Sequence, residues 1–450
     1  MLLVSGRLAS CGRMAREKRG FDASSLLLFV FLCAVSAPCR GQAQRILCDK
    51  GLGSFSSEFI TGVTATVGAS KNGGFASHTC DATLQWGKNV LPVVQGAWQV
   101  DIDVMGADLG LGVPVVAFQI KKSEIDDLMT YEVYSLRKPP QLLRTITGGD
   151  YYDAQDFNLQ GHNEIWTDDA GAVDGFENFP LSSYDFVPTV VLRFEKRRLI
   201  DVSSQYQPYF DRQIAQIRAQ LDSKALSEFK KSNGKLSSHS SLSMGDLHLL
   251  LRTKIKVLEI VWSYLYSGRE QDAWNALADM WPPTDLSRIR EAITDARARG
   301  ILRQVDGDSK PGRSVPWKHH AYIFDLTTEG ETTDAAPASV QTVGPDRMPM
   351  PGGESGQKSY SSVDTKPKAI YLGIPSTADD NQAVSNSEVF LNLVVDAAGK
   401  VQSAQLANKA DSGPIGDALI KASTTWNFIP AFKSDRAVAC RIQLGVYPEQ

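Results

Sequence analysis

Thiols, a run of aspartates and a serine–lysine pair are the side chains whose types and spacing could do chemistry in this chain. There are six cysteines, at positions 11, 33, 39, 48, 80 and 440. Their meaning depends on where the chain ends up, because an oxidising compartment favours pairing and a reducing one does not. Asp101, Asp103 and Asp108 could form a carboxylate cluster. Strand alternation puts Asp101 and Asp103 on one face, and that face is expected to be solvated. Ser227 and Lys230 match the bare S-x-x-K pattern, but the partner motifs of that chemistry are missing. The sequence has no G-x-S-x-G, no H-E-x-x-H and no P-loop. Gly51 with Gly53, and Gly110 with Gly112, lack the third glycine of a dinucleotide fingerprint. The expectation is a non-enzymatic protein, with a hydrolase site hidden in the β-rich region as the alternative from another class.

The first forty or so residues read as an address. The apolar run Leu26 to Ala37 is 12 residues long, against about 20 for a bilayer span. Arg13, Arg16, Lys18 and Arg19 precede it, and the small-x-small triplet Gly41-Gln42-Ala43 follows. That order is the layout of a secretory signal, with cleavage expected after Ala43 and an uncleaved anchor as the alternative. Met14 would begin a more ordinary signal than Met1, and Pro38 before Cys39 argues against lipidation. Export removes the first three cysteines and leaves Cys48, Cys80 and Cys440. Cys48 and Cys80 share one early segment and are expected to pair. The odd thiol, Cys440, is expected to be buried. With 47 basic and 51 acidic residues the net charge is −4, which argues against a dedicated nucleic-acid binder.

The elements that would position these groups change character along the chain. Residues 44–205 carry short apolar or alternating runs: Val93-Val94, Trp98 to Val104, Val113 to Ile120, Thr130 to Leu136, Leu142 to Ile146 and Thr189 to Phe194. Gly, Pro, Asn and Asp punctuate them, so a sandwich or propeller-like β domain is expected. Over residues 206–304 the period becomes helical: Phe210, Ile214, Ile217 and Leu221 recur on one face. Helices are expected from Leu247 to Tyr266, from Arg269 to Trp281, and from a cap at Thr284 or Asp285 to Gly300. Residues 305–367 are rich in Gly, Pro, Ser and Thr and read as a flexible linker, with an exposed His319-His320 pair before its main stretch. Residues 368–450 regain order. Val389, Leu391, Leu393 and Val395 alternate. Asp396 to Gly399 turns, and Val401 to Leu406 returns. Ile415, Ala418, Leu419, Ala422 and Trp426 form a helix stripe that ends at residues 427–430, and Val438 to Val446 alternate on a last strand.

Two short stretches resemble parts of known families. Asp156-x-Asn158-x-Gln160-Gly161-x-x-Glu164 resembles the loop of FG-GAP or VCBS propeller repeats. The resemblance implies a calcium loop, in which alternate oxygens converge on a hard cation. Two of the expected aspartates are amides here, so binding should be weak, and a hydrogen-bonded turn without metal is the alternative. Tyr264, Gly268, Ala273 and Leu277 resemble the core of one tetratricopeptide repeat, the alternative being an ordinary helical hairpin.

A longer resemblance covers residues 368–450. The hairpin Val389 to Ala404 with Asp396-x-x-Gly399-Lys400-Val401, and the block Trp426-x-Phe428-x-Pro430-Ala431, resemble the TonB carboxy-terminal domain. The resemblance implies a periplasmic module whose sheet edge pairs with a peptide from an outer-membrane transporter. Trp426, Phe428 and Pro430 would be its core. A working energy transducer would need an intact membrane anchor, so that role is the alternative. The expected architecture is multidomain α+β: a β-rich N-terminal domain, a central α-helical segment and a small C-terminal ββαβ domain. No cofactor is expected apart from the weak calcium loop. The expected partner is a protein or peptide of the envelope, and the expected location is the periplasm or, if anchored, the inner membrane facing it.

Overall fold

The computed structural model describes residues 47–59, 61–70, 78–125, 127–157, 159, 161–236, 243–307, 324–325, 367–371, 389–408, 414–434 and 436–446. The expected signal segment, His319, His320 and nearly all of the expected linker lie outside the described residues. The chain is α+β, with several sheets in its N-terminal region and a helical segment at its centre.

Two antiparallel meanders open the fold. The first has four strands in sequence order: Ser54–Glu58, Thr64–Ala69, Cys80–Trp86 and Asn89–Ala97. The second has five: Cys48–Asp49, Gln99–Met105, Val115–Lys121, Met129–Ser135 and Leu142–Gly149. They share one core, in which Val63, Ala65, Val67, Ala82 and Leu84 meet Val100, Ile102, Val116, Phe118 and Ile120. That is a sandwich, one of the two β architectures the spacing allowed. Cys48 and Cys80 are disulfide-bonded as expected and tie the second sheet to the first. On the chain-entropy model their loop, with a sequence separation of 32, contributes ~3.7 kcal/mol.

The second sheet is covered on its other face too. Val104, Val115, Ala117, Tyr131, Val133 and Ile146 belong to a larger core shared with a third sheet and the helices. The third sheet is antiparallel: Asp153–Gln155, Glu164–Asp168, Thr189–Glu195 and Arg198–Asp201. This core runs through the 205/206 division without a break, from Val104 to Ile301. The helices are Gln207–Ala219, Ser223–Lys230, Met244–Tyr266, Glu270–Met280 and Leu286–Arg299. Their ends follow local chemistry. The Asp222 carboxylate accepts from the Ala225 amide at 2.7 Å, and the Ser243 hydroxyl accepts from that of Asp246 at 3.2 Å. Gly268 takes φ +78° in the turn after Tyr266, a conformation that costs glycine least. Ala273 and Leu277 are buried core residues of the resulting hairpin. Among the described residues no helix is long and apolar enough to cross a membrane.

The C-terminal region has a core of its own, built from Leu391, Leu393, Val395, Val401, Leu419, Trp426, Phe428 and Cys440. Its main sheet orders Phe324–Asp325, Cys440–Val446, Val389–Val395 and Val401–Leu406, and the Pro414–Ser423 helix belongs to the same region. Three details differ from the ββαβ expectation. Asn427–Ile429 is not the end of the helix but a strand paired with Lys368–Tyr371. Val438 belongs to a short hairpin of Ala431–Lys433 with Arg436–Val438, and the last strand begins at Cys440. Ile415, expected on the buried stripe, is 37% exposed. Periodicity cannot separate one strand from two across Ala439, which carries no turn residue.

Candidate docking and strand-addition surfaces

The turn between Val389–Val395 and Val401–Leu406 is tightly organised. Asp396 is fully buried, and its Oδ1 accepts from the Ala398 amide at 2.9 Å and the Lys400 amide at 2.8 Å. Its Oδ2 accepts from Gln402 Nε2 at 2.6 Å. Gly399 has φ +88°, and a Cβ there would collide with the Phe428 carbonyl oxygen. The turn therefore requires glycine for both conformation and space.

This turn is not a free hairpin tip. The Asp156 amide donates to Asp396 Oδ2 at 3.0 Å. Lys400 is 3% exposed, and its Nζ reaches Asp103 at 2.7 Å and Asp153 at 3.3 Å. Asp103 also accepts from the Tyr131 hydroxyl at 2.7 Å and the Ala154 amide at 2.9 Å. Asp101 lies on the same strand, 6% exposed, and accepts from the Ile102 amide at 2.8 Å. The solvated face expected for Asp101 and Asp103 is thus wrong. The strand bulges at Asp103, so that Val104 leaves the side of Val100 and Ile102, and the third sheet and the Lys400 turn cover Asp103. Burial pushes the Asp101 carboxyl up to about 7, against the opposing pull of the Ile102 amide and Lys400. Burial also raises Asp103, again with Lys400 opposing. Burial works against the Lys400 ammonium, yet Asp103 and Asp153 outweigh it and hold its pKa above the ordinary lysine value.

Apolar contacts extend the joint. Leu159 packs with Val394 and Ala439 in a small cluster. The Phe432 ring lies 3.1 Å from where a Cβ on Gly106 would sit. Beside it is a cavity of about 200 Å³ lined by Phe59, Thr61, Pro114, Ile429 and Phe432 among others. Signals for this joint were present but unconnected: Lys400 stood in a recognisable turn, Asp103 on an alternating strand, 297 positions apart.

The other surface is the outer side of Cys440–Val446. Its inner side pairs with Val389–Val395 over seven register positions, from Val446 opposite Val389 to Cys440 opposite Val395. On the outer side, among the described residues, only Phe324–Asp325 pairs with it, parallel, opposite Cys440 and Arg441. Gln443 is exposed. Trp426, 1% exposed, and Phe428, 2% exposed, are core residues as expected. Pro430 is buried, and Cys440 is a buried thiol.

The remaining sequence candidates have other settings. Asp156 closes its own turn, its Oδ2 accepting from the Gly161 amide at 2.8 Å. Glu164 sits on a strand, 2% exposed, and faces Arg193 at 3.3 Å. Burial pushes its carboxyl up to about 7, with Arg193 opposing. Asn158 and Gln160 lie outside the described residues. Among the described residues no three His, Cys, Asp or Glu side chains are grouped to hold a metal. Ser227 and Lys230 are exposed on the Ser223–Lys230 helix. Asp108 accepts from the amides of Gly110, Leu111 and Gly112 and so organises its own loop. No family model, curated protein or solved structure matches the chain.

Proposed function

We propose that this chain is an exported, non-enzymatic cell-envelope protein that binds a protein partner by strand addition to its TonB-like C-terminal module. The observation that carries the reading is the outer edge of Cys440–Val446. From Ile442 to Val446 no described strand pairs with it, while its inner side is fully laddered. Unpaired backbone donors and acceptors along an edge are what an extended peptide recognises. The resemblance of the Asp396–Lys400 turn and the Trp426-x-Phe428-x-Pro430 block to TonB modules supports a short segment of an outer-membrane transporter as the partner. The basic, apolar and small residues before Gln44 support a periplasmic location.

The test places a photo-crosslinking residue at Gln443 and, as a control, at Lys421 on the Pro414–Ser423 helix. The expected outcome is a crosslink from position 443 alone to one short extended segment of an envelope protein, lost when Gln443→Pro is tested by co-purification. Equal crosslinking from both positions, or binding unaffected by the proline, would overturn the reading. Mass spectrometry of the exported product should show a start near Gln44; retention of Leu26 to Ala37 would favour an anchored protein instead.

A further inference from the structure

We infer that the acidic socket formed by Asp103 and Asp153 is a docking surface for the lysine-tipped turn Asp396–Lys400, and that Lys400 sets the position of the C-terminal module on the rest of the chain. This inference goes beyond the strand-addition reading and does not depend on it. The socket draws on two sheets: Asp103 on Gln99–Met105, and Asp153 on Asp153–Gln155. Two carboxylates meet where the Tyr131 hydroxyl and the Ala154 amide also donate to Asp103, and the cation seated between them is Lys400.

The plug is shaped to reach the socket. Asp396 gathers the amides of Ala398 and Lys400 and the side chain of Gln402, which holds the turn from within. One further bond, from the Asp156 amide to Asp396, joins turn to body directly. The neighbouring contacts of Leu159 with Val394 and Ala439, and of Phe432 beside Gly106, are apolar. Apolar contacts supply attraction without direction, so they tolerate small sliding and tilting of one body on another. A buried ion pair behaves differently. Its attraction is largely offset by desolvation, so its net stabilisation is small, but removing one partner leaves a charge buried without compensation. An arrangement that kept Lys400 and the socket buried but apart would incur that penalty at both, and one that withdrew Lys400 into water would still leave the socket without its counter-charge. The joint therefore discriminates among docked positions more than it stabilises the correct one. The selected position leaves Gln443 exposed.

The experiment uses the full exported chain with spin labels at Lys88→Cys on the first sheet and Lys421→Cys on the module helix, both exposed positions. The parent protein should give a single narrow inter-label distance, and Lys400→Met should lose it while Lys400→Arg retains it. Since Lys400→Met may fold poorly, the deciding variant is Lys400→Met with Asp103→Leu and Asp153→Leu. It should melt cooperatively near the parent temperature yet lose the single distance. A single narrow distance in either Met variant would overturn the inference, because apolar shape alone would then place the module. Loss of cooperative melting in the triple variant would overturn it as well, because the charges would then be a source of net stability.

Discussion

Two aspartate-led turns, 156–164 and 396–400, differ in what their charged groups meet. The first has the alternating oxygens of a cation loop. In the structure its acidic ends are committed within the chain, Asp156 to the Gly161 amide and Glu164 to Arg193. The second reads as a hairpin turn, yet it carries a buried lysine onto two carboxylates, Asp103 and Asp153. The two turns touch, through the Asp156 amide and Asp396. What a charged motif does is settled by the partner that burial brings to it, because in a low-dielectric setting a charge must find a counter-charge or neutralise. Local spacing describes the motif but not the partner.

Trp426→Ala should have the largest effect, costing about 3–5 kcal/mol as a buried indole is removed from the module core. Thermal melting followed by tryptophan-independent circular dichroism would register it, and unchanged melting would mean that the module does not rest on that core. Lys400→Met should be similar or somewhat smaller, about 3–5 kcal/mol less whatever neutralisation of Asp103 recovers. The contrast lies in its reach: it should loosen the joint while the Trp426 core stays protected from hydrogen exchange, whereas Trp426→Ala should expose both.

The first turn offers a gentler test. Glu164 has its carboxyl raised from 4.5 to about 7 by burial. A carboxyl raised in the folded state binds its proton more tightly there than in the unfolded chain. Its stabilising contribution is therefore complete below pH 4.5 and is lost as pH rises towards 7. Glu164→Gln should flatten the fall in melting temperature over that window, and an unchanged slope would assign the fall to other carboxyls such as Asp101. The smallest expected effect is that of calcium. With Glu164 engaged by Arg193, added calcium should leave the melting temperature unmoved. An increase that vanishes in Asp156→Asn would reverse the comparison and restore the loop as a cation site.

Much of the fold was legible because its signals are local. The helices at 244–266, 270–280 and 286–299 follow from apolar spacing, Gly268 and Pro282-Pro283, and nine of the strands follow from apolar or alternating runs. Strands at 54–58 and 64–69 were missed because Ser, Thr, Ala and Gly dominate them and their burial comes from the facing sheet. The Cys48–Cys80 bond was legible because an odd number of thiols, two of them close in sequence, leaves few pairings.

By itself, then, the sequence determined the type of the long helices and of the alternating strands, the turn at Asp396 to Lys400, the inward residues Trp426 and Phe428, and the pairing of two cysteines. All of these depend on neighbours within a few residues or on simple counting. Only the tertiary structure decided that Asp101 and Asp103 are buried, that Lys400 is the cation of Asp103, and on which side of Cys440–Val446 no described strand pairs beyond Arg441. Those facts depend on which faces meet. A face that alternation assigns to solvent stays there only until another sheet or turn, hundreds of residues away, is laid over it.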